Sequence, residues 1–89
     1  MPRFYIDTDD GKFEAIDGDG AEYRDLATAE DEAMRALPEM VQSLHPARDW
    51  RQISATVRDE TGSVRFRAAL ALNVERVRAE RLPAANVAA

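Results

Sequence analysis

Residues 53–75 read Ile53-Ser54-Ala55-Thr56-Val57-Arg58-Asp59-Glu60-Thr61-Gly62-Ser63-Val64-Arg65-Phe66-Arg67-Ala68-Ala69-Leu70-Ala71-Leu72-Asn73-Val74-Glu75. Ile53, Ala55 and Val57 alternate with Ser54, Thr56 and Arg58. Val64, Phe66, Ala68, Leu70, Leu72 and Val74 then alternate with Arg65, Arg67, Ala69, Ala71, Asn73 and Glu75. A period of two puts one set of side chains on each face of a strand, so each run predicts a half-buried strand. Asp59-Glu60-Thr61-Gly62 between them is a turn, because Asp bonds its own backbone and Gly supplies positive φ. The stretch is a β-hairpin with one apolar and one Arg-rich face. Its second strand, Val64 to Val74, exceeds the usual five or six residues, so its end is expected to project beyond its partners.

Upstream, Leu26, Ala29, Ala33, Leu37, Met40 and Leu44 recur at three- and four-residue spacing, which is the apolar stripe of a helix. Thr28 and Asp31 have the spacing of a capping box, and Glu30, Asp31 and Glu32 suit the positive end of the helix dipole in its first turn. Pro38 removes one helical hydrogen bond, which predicts a kink or a separate short turn from Pro38 to Leu44. His45-Pro46 ends the helix, because the residue before a proline disfavours helical geometry. At the N-terminus, Arg3–Thr8 alternates as a strand, Asp9-Asp10-Gly11 turns, and Lys12–Ile16 returns as a second strand anchored on Phe13. Asp17-Gly18-Asp19-Gly20 is a second turn or loop.

The expected fold is α+β: a four-stranded antiparallel sheet in the order strand-strand-helix-strand-strand, with one kinked helix on one face. Residues 1–77 form one small domain and 78–89 a flexible tail. One helix covers one face of a sheet. The other face carries Tyr5, Asp7, Arg58, Arg65 and Arg67, and the Leu70–Val74 stretch, with Leu70, Leu72 and Val74, offers an edge for pairing. These residues, Asp7 apart, are the candidate interaction surface.

Composition narrows the function. With 89 residues the core is thin, and a homodimer is the expected remedy. Without cysteine there is no disulfide and no thiolate nucleophile, which fits a reducing compartment. No apolar run is long enough for a signal peptide or a membrane span, so a cytoplasmic location is expected. The net charge of −5 divides into −8 for residues 1–44 and +3 for residues 45–89. The acidic front half opposes general affinity for nucleic acid, while the basic back half keeps a weaker version of that reading.

Chemistry finds little to stand on. Nucleophilic catalysis needs a base beside a hydroxyl, and the sole histidine, His45, has only Ser43, Ser54 or Ser63 to draw on. A His at a helix C-terminus is also simply favoured by the dipole. Asp7, Asp9, Asp10, Asp17 and Asp19 invite a calcium reading, yet neither frame matches an EF-hand loop. From Asp7 the glycine falls one position early, and from Asp17 the sixth and twelfth positions are Glu22 and Thr28. The four glycines form no phosphate-binding loop. Arg58, Arg65 and Arg67, with Arg48 and Arg51 upstream, could form a basic patch on which Tyr5 or Trp50 stacks a base. The expectation is no enzyme, no metal and no cofactor. A non-catalytic module that binds itself or another cytoplasmic protein stands first, and a nucleic-acid-binding regulator second.

Four segments in order carry a resemblance: Met1-Pro2-Arg3-Phe4-Tyr5; Asp25-Leu26-Ala27-Thr28-Ala29 leading to Glu32-Ala33; Ala36-Leu37-Pro38-Glu39; and Val57-Arg58-Asp59-Glu60-Thr61-Gly62 continuing to Leu70-Ala71-Leu72-Asn73-Val74-Glu75-Arg76-Val77. Across residues 1–77 the chain resembles a family of short bacterial proteins catalogued as a domain of unknown function. The resemblance implies a small stand-alone domain in the bacterial cytoplasm and no assigned activity. More loosely, the acidic, glycine-containing hairpin followed by a helix is similar to antitoxin domains of the HicB type. Those commonly add a DNA-binding segment, and the dozen residues after Val77 are too few for one.

Overall fold

The computed structural model describes residues 1–43, 50–77 and 79. Strand β1 is Arg3–Asp9, β2 Glu14–Ala15 and β3 Ala21–Glu22. Helix α1 is Leu26–Ser43, followed by β4, Trp50–Arg58, and β5, Val64–Asn73. The fold is α+β with an antiparallel sheet, as expected, but the sheet has five strands rather than four. Its order is β2-β1-β4-β5, with β3 also paired to β1.

The correction lies at the N-terminus. The predicted strand over Lys12–Ile16 shrinks to Glu14–Ala15, which pairs with Thr8 and Asp9. Ala21 and Glu22, unread as a strand, pair with Phe4 and Arg3. Between them the Asp17 carboxylate does what a strand would do, its Oδ2 accepting the Ile6 N–H at 3.2 Å. Phe13 is no anchor and stands 69% exposed, because it falls in the turn before the shortened return strand, its N–H donating to Asp10 Oδ1.

The hairpin of β4 and β5 follows the alternation. Ile53, Ala55 and Val57 are wholly buried, and Phe66 and Ala68 opposite Val57 and Ala55 pack on the same core. A register shift between Val57 and Arg58 sets Arg58 opposite Val64 rather than Arg65. Such a bulge adds a residue to one strand and interrupts the alternation. Val64, predicted on the apolar face, instead stands 53% exposed and lines the opposite face with Thr56 and Arg67. The end of β5 does not project either. β4 reaches back to Trp50 opposite Asn73, so β5 is flanked along its length and ends at Asn73, one residue before Val74.

Helix α1 buries Ala29, Ala33 and Leu37 at four-residue spacing, with Leu26, Met40 and Val41 packed beside them. It lies chiefly on β4 and less on β1 and β5. Alanine at 29, 33 and 55 leaves the room for a close helix–sheet approach, since all three are fully buried. The cap is Asp25, not Thr28: its Oδ1 accepts the Thr28 N–H at 2.9 Å and the Thr28 hydroxyl at 2.6 Å. The helix therefore starts at Leu26, and Glu30, Asp31 and Glu32 fall after its first turn. Pro38 sits inside a continuous helix and does not end it. Leu44, His45, Pro46, Arg48, the Trp50 side chain and the tail over 80–89 lie outside the described residues.

Candidate functional site

The sheet face away from α1 holds the charged groups that the hairpin pattern assigns to it. Antiparallel register sets Tyr5 opposite Arg58 and Asp7 opposite Thr56. Neighbours i and i+2 share a face, so Tyr5, Asp7 and Arg58 meet there. The Arg58 Nε donates to Asp7 Oδ2 at 2.6 Å and its Nη2 donates to Asp7 Oδ1 at 3.0 Å. A two-pronged Arg–carboxylate pair of this kind is among the stronger polar contacts. Its side chains are 25% and 12% exposed for Arg58 and Asp7. The same guanidinium lies 5.1 Å from the Tyr5 ring centre and donates to the Asp17 carbonyl at 3.1 Å.

Asp17 completes the cluster from the loop. Its N–H donates to Asp7 Oδ1 at 3.0 Å, and its own Oδ1 accepts the N–H groups of Asp19 and Gly20 at 3.2 and 2.9 Å. Gly20 has φ +67°, and a Cβ there would sit 2.7 Å from the Tyr5 ring and 2.9 Å from the Phe4 carbonyl. The ring thus rests directly on a residue that must be glycine. Donors of this kind favour the charged carboxylate. The Arg58 bond holds Asp7 below the ordinary carboxylate range. The Gly20 N–H, with those of Ile6 and Asp19, does the same for Asp17.

The other acidic residues are organised in the same way. Asp59 Oδ1 accepts from Thr61 N, the Thr61 hydroxyl and Ser63 N, at 2.9, 2.6 and 3.1 Å. Asp10 Oδ1 accepts the N–H groups of Lys12 and Phe13 at 2.8 and 2.7 Å. Asp10 belongs to the calcium reading of the sequence, and here its Oδ1 is engaged by backbone donors. Among the described residues no three acidic or histidine side chains gather to hold a metal.

The predicted Arg patch is divided. Arg58 is bound to Asp7, Arg65 reaches back to Asp59 Oδ2 at 3.3 Å, and Arg67 Nε donates to the Thr56 hydroxyl at 3.2 Å. Arg67 also lines an open depression of about 380 Å³ shared with Asp7, Asp9, Glu14 and Ser54. Leu70 and Leu72 lie on the α1 side of β5, opposite Ile53 and Arg51, and Leu70 is 42% exposed because α1 rests on β4. Val74 is half-buried just past the strand. The sequence reading missed Asp17 and Gly20; the repeated Asp-Gly of the loop was the available signal, and it reads equally well as a solvated turn.

A sheet whose polar face is knitted by Asp7, Asp17 and Arg58 defines a small α+β domain. Residues 3–71 match the family described as Domain of unknown function (DUF6894), and the chain belongs to that family. No curated protein and no solved structure matches the chain. Among the described residues no helix is long and apolar enough to cross a membrane.

Proposed function

We propose that the chain is a non-catalytic protein-interaction module that acts as a homodimer in the cytoplasm. One observation carries this reading. The side chains with the most chemistry in them, Asp7, Asp17, Asp59 and Arg58, are committed to holding the fold, while the outer strand β5 leaves Leu70 exposed beside a half-covered apolar face. A catalytic acid or base needs a free proton position aimed at substrate, and these carboxylates spend theirs on arginine, hydroxyl and backbone donors. Pairing of Arg58 and Arg65 with carboxylates counts against the nucleic-acid alternative, because a phosphate would have to displace Asp7 or Asp59.

Sedimentation equilibrium from micromolar to millimolar protein tests the reading. A mass rising to twice that of the chain is the expected result. A chain that stays monomeric across the range overturns it. Salt-sensitive binding of a labelled single-stranded RNA by the same sample would move the assignment to the nucleic-acid alternative.

A further inference from the structure

The two edges of the sheet are unlike. The outer edge of β1 is covered in turn by β2, the Asp17 carboxylate and β3. At the other end of the sheet, β5 pairs with β4 alone among the described residues. An edge strand presents a row of backbone donors and acceptors, and proteins blunt such rows with charge, proline or brevity. β5 has ten residues, and from Ala68 to Asn73 it carries no charge and no proline. The apolar residues Phe66, Leu70 and Leu72 along it are only partly covered by α1.

We propose that this edge pairs antiparallel with the same edge of a second copy, in a register centred on Leu70. The proposal rests on the homodimer reading and gives it a surface. A two-fold axis normal to the sheet keeps each helix-side residue opposite another helix-side residue, so the register must centre on a residue. Centring on Leu70 sets Leu70 against Leu70, Ala68 against Leu72 and Phe66 against Val74 on the helix side. On the other side it sets Ala69 against Ala71, Arg67 against Asn73 and Arg65 against Glu75. Every helix-side pair is apolar, and at each end Glu75 brings a second carboxylate to Arg65, whose half-exposed guanidinium also reaches Asp59 at 3.3 Å. Moving the centre to Ala69 leaves Arg65 against Asn73 and loses the charge match. Moving it to Ala71 sets Phe66 against Arg76. The Leu70 register also sets Val74 and Glu75, which directly follow β5 in the chain, opposite Phe66 and Arg65.

The absence of cysteine makes the test direct. Residues opposed across an antiparallel pair have Cα atoms roughly 4.5–5.5 Å apart, inside the disulfide range. Leu70→Cys is expected to form a covalent dimer under mild oxidation, reversed by reductant. Ala69→Cys and Ala71→Cys are each expected to stay uncrosslinked alone but to link to one another when mixed. Both sites are exposed, so this mixture decides the matter even if Leu70→Cys folds poorly. Glu75→Arg is expected to weaken self-association on the order of tenfold, and Arg65→Glu with Glu75→Arg to restore it. A dimer by sedimentation that forms neither link overturns the β5 edge while leaving the homodimer intact. A monomer at all concentrations overturns both.

Discussion

Asp7 lies between Arg58 and the Asp17 N–H, so one carboxylate joins β1, β4 and the loop. Asp7→Asn keeps the shape but removes the charge that orders the guanidinium. Hydrogen bonds to charged groups contribute about 2 kcal/mol each way. The expected loss is about 2 kcal/mol, read as a melting temperature lower by roughly 10 °C in a circular-dichroism melt. An unchanged melt would mean that the pair is ornamental. Gly20 and Gly62 make a second contrast. Both have positive φ, but a Cβ at Gly20 strikes Tyr5 and the Phe4 carbonyl, whereas one at Gly62 meets open space. Gly62→Ala bears only the backbone cost of about 1–2 kcal/mol, and Gly20→Ala adds overpacking of about 1–3 kcal/mol to it. Denaturant unfolding of the two variants checks the order, and equal losses would refute it. Gly62 was readable from its turn sequence; the Tyr5 ring over Gly20 was not, because the two meet only after β1 and the loop fold together.

At the scale of the helix, the apolar stripe was plain in the sequence, while its start was misread by one turn. Thr28 and Asp25 are both good caps by type, and local pattern cannot rank them. The fold decides, since Tyr23 N donates to the Pro2 carbonyl at 2.9 Å and so fixes where the chain enters the helix. Asp25→Ala is therefore expected to lower the melting temperature by several degrees, and Asp31→Ala to leave it nearly unchanged. The reverse order would reinstate the Thr28 cap. Pro38 shows the other limit of propensity. Its ring and missing N–H disturb the bond to the Met34 carbonyl, yet Leu37, Met40 and Val41 on either side pack onto the core. Packing of an amphipathic face outweighs a local penalty of about 3 kcal/mol. Pro38→Ala should stabilise the protein by about 1–3 kcal/mol in denaturant unfolding, and a loss would show that the helix needs the proline's geometry.

For the whole molecule, the aspartates act together. Asp7, Asp10, Asp17, Asp25 and Asp59 all have pKa values held below the ordinary carboxylate range by donors in the folded chain. At neutral pH these groups are ionised whether folded or not, so their stabilisation is complete. As pH falls through about 4 the unfolded chain takes up protons first, and stability is lost until the folded groups titrate as well. Melting temperatures should be flat from neutral pH to about 5 and fall steeply below about 4, with a shallower fall in Asp7→Asn. An acid-insensitive wild type would mean that the network contributes nothing.

The sequence by itself determined the hairpin, its apolar face, the helical stripe and the α+β class. Each rests on periodicity, which is a property of neighbours along one chain. Tertiary structure alone decided that Asp17 stands in for a strand, that Lys12–Ile16 divides its role with Ala21–Glu22, and that Val64 crosses to the polar face through a bulge. It also decided that Arg58 belongs to Asp7 and Arg65 to Asp59. Those outcomes depend on which backbone groups are left unpaired when distant segments meet. A buried or strand-edge N–H takes the nearest acceptor that the assembled fold presents, and no spacing within one segment records that choice.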